Sequence, residues 1–272
     1  MTLRIICATS HWLLLVLGIS IGIFMFVNAG DRNWFTFIVA QPLELGLSGG
    51  IGPVLVNTAI VVGIALAISV MTAVASITLI LSMERSASRI AHHIAALTRG
   101  LLSIGASTPR LLVGIGAATV FGNWFGLGIT ALCGILSLAC ILGPIMANGL
   151  IHALDQQKDR LMPTCIALGL SMSQTWLRYI APAALPGLLA TSIQCVGRGL
   201  GDAAALYLTS GTALAILGSI DQPAATLAVY AYSLVLDVAG GIKNAYAAGF
   251  VLLILTATLQ TPLIYLNKDT ST

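Results

Sequence analysis

The stretch CVGRGLGDAAAL, residues 195–206, sets an arginine and an aspartate into an apolar run, with Gly197, Gly199 and Gly201 around them. On insertion scales an Arg or Asp at the centre of a spanning helix costs about 2.5–3.5 kcal/mol, and each large aliphatic residue returns only about 0.3–0.6. Across a helix over 184–206, Leu185, Leu188, Leu189, Ile193, Val196, Leu200 and Leu206 offer about 3 kcal/mol against about 6 for Arg198 and Asp202. Such a helix belongs in the interior of a bundle or beside a water-filled path, where charged residues of membrane segments normally face.

The rest of the chain supplies that bundle. Of 272 residues 58% are hydrophobic and only 8% charged, with a mean hydropathy of +1.00, whereas soluble domains carry about a quarter charged residues. Several apolar stretches reach the ~20 residues that cross a bilayer as helix, and none has the alternation of an outer-membrane barrel. The expected fold is an all-α polytopic membrane protein forming one transmembrane domain over 1–272, with six helices at about 7–28, 54–83, 96–122, 125–152, 184–206 and 244–267. The first is read as a retained helix, because the apolar core from Trp12 to Val27 is long for a signal peptide.

With the N-terminus in the cytoplasm, Arg4, Arg85, Arg89, Arg99, Lys158, Arg160, Arg178 and Lys268 fall on the cytoplasmic side, and Arg32 and Lys243 outside. That satisfies the positive-inside bias and puts both termini and the polar loop 153–183 in the cytoplasm. Within the loop, a short helix from Pro163 to about Leu170, a stop or bend at Gly169 and a second helix through Trp176 make a shape that a soluble partner can grip. Proline suits a first helical position because its missing N–H has no partner there in any case. Trp176 is expected to pack the loop on its own helices; Trp12, Trp34 and Trp124 fit interfacial anchors.

Arg198 and Asp202, four residues apart, share a helical face and can pair. Alternatively Arg198 offers its planar donor fork to an oxyanion in the path, Asp202 orienting it and preventing an overtight grip, since conduction requires release. Arg110 follows Pro109 within the third segment; the proline frees backbone groups that only protein or water can satisfy, so this third charge points to the interior or, eleven residues from Arg99, snorkels toward the cytoplasmic end. The five cysteines, Cys7, Cys133, Cys140, Cys165 and Cys195, have no metal-type spacing and read as packing residues. His11, His92, His93 and His152 lie at segment ends without metal spacing. No G-x-x-x-x-G-K-[ST], G-x-S-x-G or H-E-x-x-H occurs, so neither a nucleotide-cradling loop nor a hydrolytic motif is present.

The motifs resemble a known family. PTCIALG (163–169), with Ala167, Leu168 and Gly169 kept, is similar to the cytoplasmic E-A-A-x-x-x-G loop of the membrane subunits of ATP-binding-cassette (ABC) importers. Five pieces in order resemble the type A permeases of the phosphate-specific (Pst) branch: QPLELGLSGGIGPVLVNT (41–58), STPRLLVGIG (107–116), ALGLSMSQTWLRYIAPAALPGLLA (167–190), GRGLGDAAAL (197–206) and DQPAATLAVYAY (221–232). GRGLGDAAAL, similar to G-R-A-x-G-E-T-A-P-L, is the most specific.

The resemblance implies a permease subunit with a substrate path at Arg198, Asp202 and Arg110. It implies coupling to an ATPase through Pro163, Thr164, Cys165, Ala167 and Gly169, and helix packing through Gly197, Gly199 and Gly201. The implied partners are a homologous type C permease, two ATPase subunits carrying ATP and magnesium, and a soluble phosphate-binding protein; this chain itself would hold no cofactor. The implied location is a bacterial plasma membrane. Departures are Pro163, Thr164 and Cys165 where the family has E-A-A, Asp202 for Glu, Ala203 for Thr, Ala205 for Pro, and Arg110 for a small serine. They leave open another oxyanion, such as phosphonate or molybdate. A secondary carrier using Asp202 as a proton site is the rival of another class, though the internal inverted symmetry common in such carriers is not visible.

Overall fold

The computed structural model describes residues 16–84, 86 and 88–262; the part of the first segment before Val16, Cys7, His11 and Trp12 lie outside them. In order, the elements are α1 (Val16–Asn28), α2 (Trp34–Val39), β1 (Pro42–Leu43), β2 (Ser48–Gly49), α3 (Gly52–Glu84), α4 (Arg89–Ser107) and α5 (Arg110–Ala117). Then come α6 (Ala131–Ala167), α7 (Met172–Gln174), α8 (Ala181–Leu200), α9 (Ala204–Thr209), α10 (Leu227–Leu236) and α11 (Ile242–Gln260). Widened turns over Ala118–Trp124 and Thr175–Ile180 continue α5 and lead into α8.

Four helical runs are long and apolar enough to cross a bilayer: Gly52–Glu84, Ala131–Ala167, Thr175–Leu200 and Ile242–Gln260. A fifth consists of α4 with the run Arg110–Trp124, bent by 103° between them. The chain is a mostly helical, multi-pass membrane protein. α6 is its pillar, with α3, α4 and α8 around it: Val62, Ala65, Leu138, Leu142, Met146, Cys195 and Leu206 form one buried cluster. Outward faces carry Met71, Leu97, Leu101 and Ile104, the side chains suited to lipid.

Several expected boundaries are corrected. The segment at 125–152 is a helix of 37 residues that continues through the supposed loop to Ala167. At 1.5 Å per residue it is about 55 Å long, well beyond the ~30 Å hydrocarbon layer. The sequence DQQKDR (155–160) is polar because the helix has left the apolar zone, not because the helix has stopped. Pro163 is accordingly inside α6 and not at a helix start.

The third segment, expected unbroken over 96–122, divides at Thr108 and Pro109. Both are extended, with ψ of 134° and 128°, because the ring of a proline disfavours helical geometry at the residue before it. The fifth segment begins earlier than 184 and ends earlier than 206: it runs 175–200, and α9 is a separate short helix after the bend at 201–203. The expected long loop 207–243 contains the second half of α9 and all of α10, whose Leu227, Tyr230 and Leu234 are buried.

Polar side chains tie this region down. Asn57 on α3 donates to the Ala215 carbonyl at 2.8 Å and accepts from the Leu217 N–H at 2.8 Å. Thr58 accepts from the Leu227 N–H at 2.8 Å. The Tyr230 hydroxyl donates to the Gly46 carbonyl at 3.1 Å and thereby holds the β1–β2 hairpin, whose tip puts Glu44 and Leu45 at φ of 48° and 58°. Arg32 braces α1 to α11 through the Ala29 carbonyl and Asn244. Burial pulls its guanidinium below its ordinary pKa, with Tyr230 opposing in part.

Candidate functional site at two helix breaks

The breaks at 108–109 and 201–203 meet. α5 and α9 pack so closely that a Cβ on Gly114 would stand 2.7 Å from the Ala205 Cα; only glycine admits that approach. The close packing brings Arg110, the first residue of α5, to Asp202. Their charged atoms, Nη1 and Oδ2, are 3.7 Å apart. Arg110 Nη1 also donates to the Arg198 carbonyl at 3.4 Å. Asp202 is 2% exposed, and its Oδ1 accepts from the Ala205 N–H at 3.3 Å, capping α9.

The expected side-chain pair of Arg198 and Asp202 is absent. α8 ends at Leu200, so Asp202 leaves the helical register in which a spacing of four makes neighbours. Asp202 pairs with Arg110 instead, and the Arg198 side chain is exposed without an ion-pair or hydrogen-bond partner among the described residues. One guanidinium, one carboxylate and the Arg198 carbonyl thus meet at the bends, with the exposed Arg198 side chain on the adjoining end of α8. Such an arrangement can bind a planar or tetrahedral oxyanion through several donors at once, with a fixed negative charge close by.

The three glycines play unequal parts. A Cβ on Gly199 would stand 3.2 Å from Val62 and 3.4 Å from Leu142, and one on Gly197 would meet the Gln260 amide of α11; both positions serve close packing. Gly201 is exposed and lies in the bend itself.

The second predicted cluster forms the far end of α6. Gly169 has φ of +71°, and Leu170 donates to the Cys165 carbonyl at 3.1 Å, a glycine-ended helix stop. Ser171 and Gln174 then cap α7 reciprocally. Pro163, Thr164 and Ala167 are exposed, while Cys165 and Trp176 are buried. Buried Trp176 fits the packing role expected of it. Ile166, Leu168, Met172 and Leu177 stand out from the turn, so the tip is apolar.

One cluster escaped sequence reading. Arg99 joins three helices, bonding Glu84 at the end of α3 at 2.9 Å and Asp155 on α6 at 3.2 Å; acids 15 and 56 residues away give no local pattern. Of the cysteines, Cys133, Cys165 and Cys195 are buried and Cys140 is exposed, all as free thiols. Among the described residues no three His, Cys, Asp or Glu side chains converge as a metal site.

No family model matches the chain. It is 24% identical over 264 residues to the probable ABC transporter permease protein YqgI of Bacillus subtilis, covering 90% of this chain and 88% of that protein. It is 24% identical over 254 residues to the phosphate transport system permease protein PstA 1 of Mycobacterium tuberculosis, covering 92% and 79%. A PstA homolog of Mycoplasma pneumoniae is 25% identical over 224 residues, 80% of this chain and 34% of that longer protein. The crystal structure of an amino acid ABC transporter with histidines shares the fold at a TM-score of 0.62, with 14% identity, 79% of this chain and 92% of the other covered. These relatives are named as ABC transporter or phosphate transport permease proteins, and the fold is shared with a chain of an ABC transporter. The chain is PstA-like, since two of these relatives are named PstA and the similarity to one of them spans 92% of the chain.

Proposed function

We propose that this chain forms half of the membrane path of an ATP-driven importer of inorganic phosphate. Phosphate follows from the PstA-like relatives, and the observation that carries the reading is the pairing of Arg110 with Asp202, beside the Arg198 carbonyl, where two helical runs break. Broken segments present backbone and charge at membrane depth only where a path or protein surrounds them. A six-span chain in a bacterial plasma membrane, with both termini in the cytoplasm, puts the tip around Gly169 where ATPase subunits can grip it.

Two ATPases hydrolyse ATP with magnesium, a type C permease completes the path, and a soluble phosphate-binding protein feeds it. Pro163, Thr164, Cys165, Ala167 and Gly169 couple ATPase closure to α6 and α8. With no acid at the loop's opening, coupling rests on shape and on the apolar tip.

Phosphate uptake by cells carrying Arg198→Gln tests the reading. We expect uptake to fall at least tenfold, the loss of about 1.4 kcal/mol, at unchanged protein level; normal uptake removes Arg198 from the mechanism. A second reading, another oxyanion, is favoured by the extra cation Arg110, and competition of labelled phosphate uptake by phosphonate or molybdate separates the two. Absence of any co-purifying ATPase would instead favour a stand-alone carrier.

A further inference from the structure

Arg110 and Asp202 differ sharply in accessibility: the arginine side chain is 40% exposed and the aspartate 2%. Their 3.7 Å separation is an ion pair without a hydrogen bond, and Asp202 Oδ2 has no hydrogen-bond donor among the described residues. Arginine carries five N–H donors in a rigid fork. Arg110 engages a single acceptor, the Arg198 carbonyl, at the long distance of 3.4 Å. The bond from the Ala205 N–H fixes Asp202, so the arginine is the member free to move. A pair this loose, with a half-exposed cation, yields readily to an oxyanion that offers two acceptors to the same fork.

We propose that Arg110 and Asp202 form a latch between the two broken segments, and that an entering oxyanion opens it by taking the Arg110 fork from Asp202. The proposal rests on the oxyanion-path reading and adds a cycle to it. Without cargo, the pair holds α5 against α9 at their breaks. With cargo, Arg110 turns to the anion and the bends are released from one another. When the anion leaves, the fixed carboxylate recaptures the guanidinium, so release is assisted rather than opposed. Asp202 is thus a positioning residue and Arg110 a cargo contact. A static brace would use the same two residues but would not respond to the anion.

Arginine-selective labelling with phenylglyoxal separates them. The chain, reconstituted in liposomes with its co-purifying subunits, is labelled with and without phosphate and mapped by mass spectrometry. Arg99, bound by Glu84 and Asp155, is the internal control. The latch predicts that phosphate removes most of the labelling at Arg110 and leaves Arg99 unchanged. It also predicts that Asp202→Asn raises Arg110 labelling without anion about two- to fivefold, the range of a loose ion pair whose cation is screened by solvent. The wild-type arm stands alone if that variant fails to fold. Protection by molybdate or phosphonate but not phosphate upholds the latch and overturns phosphate as the cargo. Protection of Arg198 by phosphate with Arg110 unchanged upholds the cargo and overturns the latch. Arg110 labelling indifferent to all three anions overturns it as well.

Discussion

Gly114→Ala adds one methyl group where α5 meets α9. The new Cβ would stand 2.7 Å from the Ala205 Cα and 3.0 Å from its Cβ, short by about 0.7 Å of the 3.4 Å at which ordinary contact begins. The obstacle is backbone, so the two helices must separate. Overpacking of that kind costs about 1–3 kcal/mol. Gly116→Ala, two positions along the same helix, supplies the control, because nothing lies within 4 Å of its Cβ. Both variants gain the same helix propensity, about 1 kcal/mol, so their difference isolates the clash. With about 2–4 °C of melting temperature per kcal/mol for a chain of this size, Gly114→Ala should melt about 2–12 °C below Gly116→Ala in detergent, followed by tryptophan fluorescence. The separation also stretches the pair of Arg110 and Asp202 from 3.7 Å, so uptake should fall for Gly114→Ala alone. Equal melting temperatures and equal uptake would refute the close approach and the meeting of the two breaks built on it.

Asn57→Leu takes the side-chain partner from the part-buried Ala215 carbonyl and Leu217 N–H, a loss of about 0.5–1.5 kcal/mol per hydrogen bond; limited proteolysis within 210–226 should then rise above that of the wild-type chain. Gly169→Ala meets no neighbouring atom, yet its φ of +71° costs an alanine about 1–2 kcal/mol. Cleavage between Ala167 and Met172 should rise, and Gly169→Asn, which tolerates left-handed geometry, should stay near the unsubstituted chain.

How much of this was legible before the fold was known depends on the kind of signal. Apolar length announced the spanning segments, and Gly169 announced the turn at the tip, because both act locally. The end of α6 was misread because polarity marks where a helix leaves lipid, while only a cap marks where it stops; Gln, Lys and Arg at 156–160 are good helix formers. The pairing of Arg198 with Asp202 was misread for the opposite reason. Gly201 followed by Asp202 carries the stop of one helix and the cap of the next, and a spacing of four means nothing across such a boundary. α10, ten residues long, is too short to be taken for a span. Arg110 was singled out through Pro109, but its partner lies on an element distant in the chain, and no pattern within either segment names it.

That distance has a consequence for synthesis. Asp202 leaves the ribosome about 90 residues after Arg110, which at 5–20 residues per second is roughly 5–20 s. Throughout that interval the arginine stands at the head of a half-helix with no carboxylate to meet it, and lodging it in lipid would cost about 2.5–3.5 kcal/mol. The counter-charge that arrives with α8 and α9 offsets that cost, so entry of the fifth segment favours full insertion of the third, and the two breaks couple segments made seconds apart.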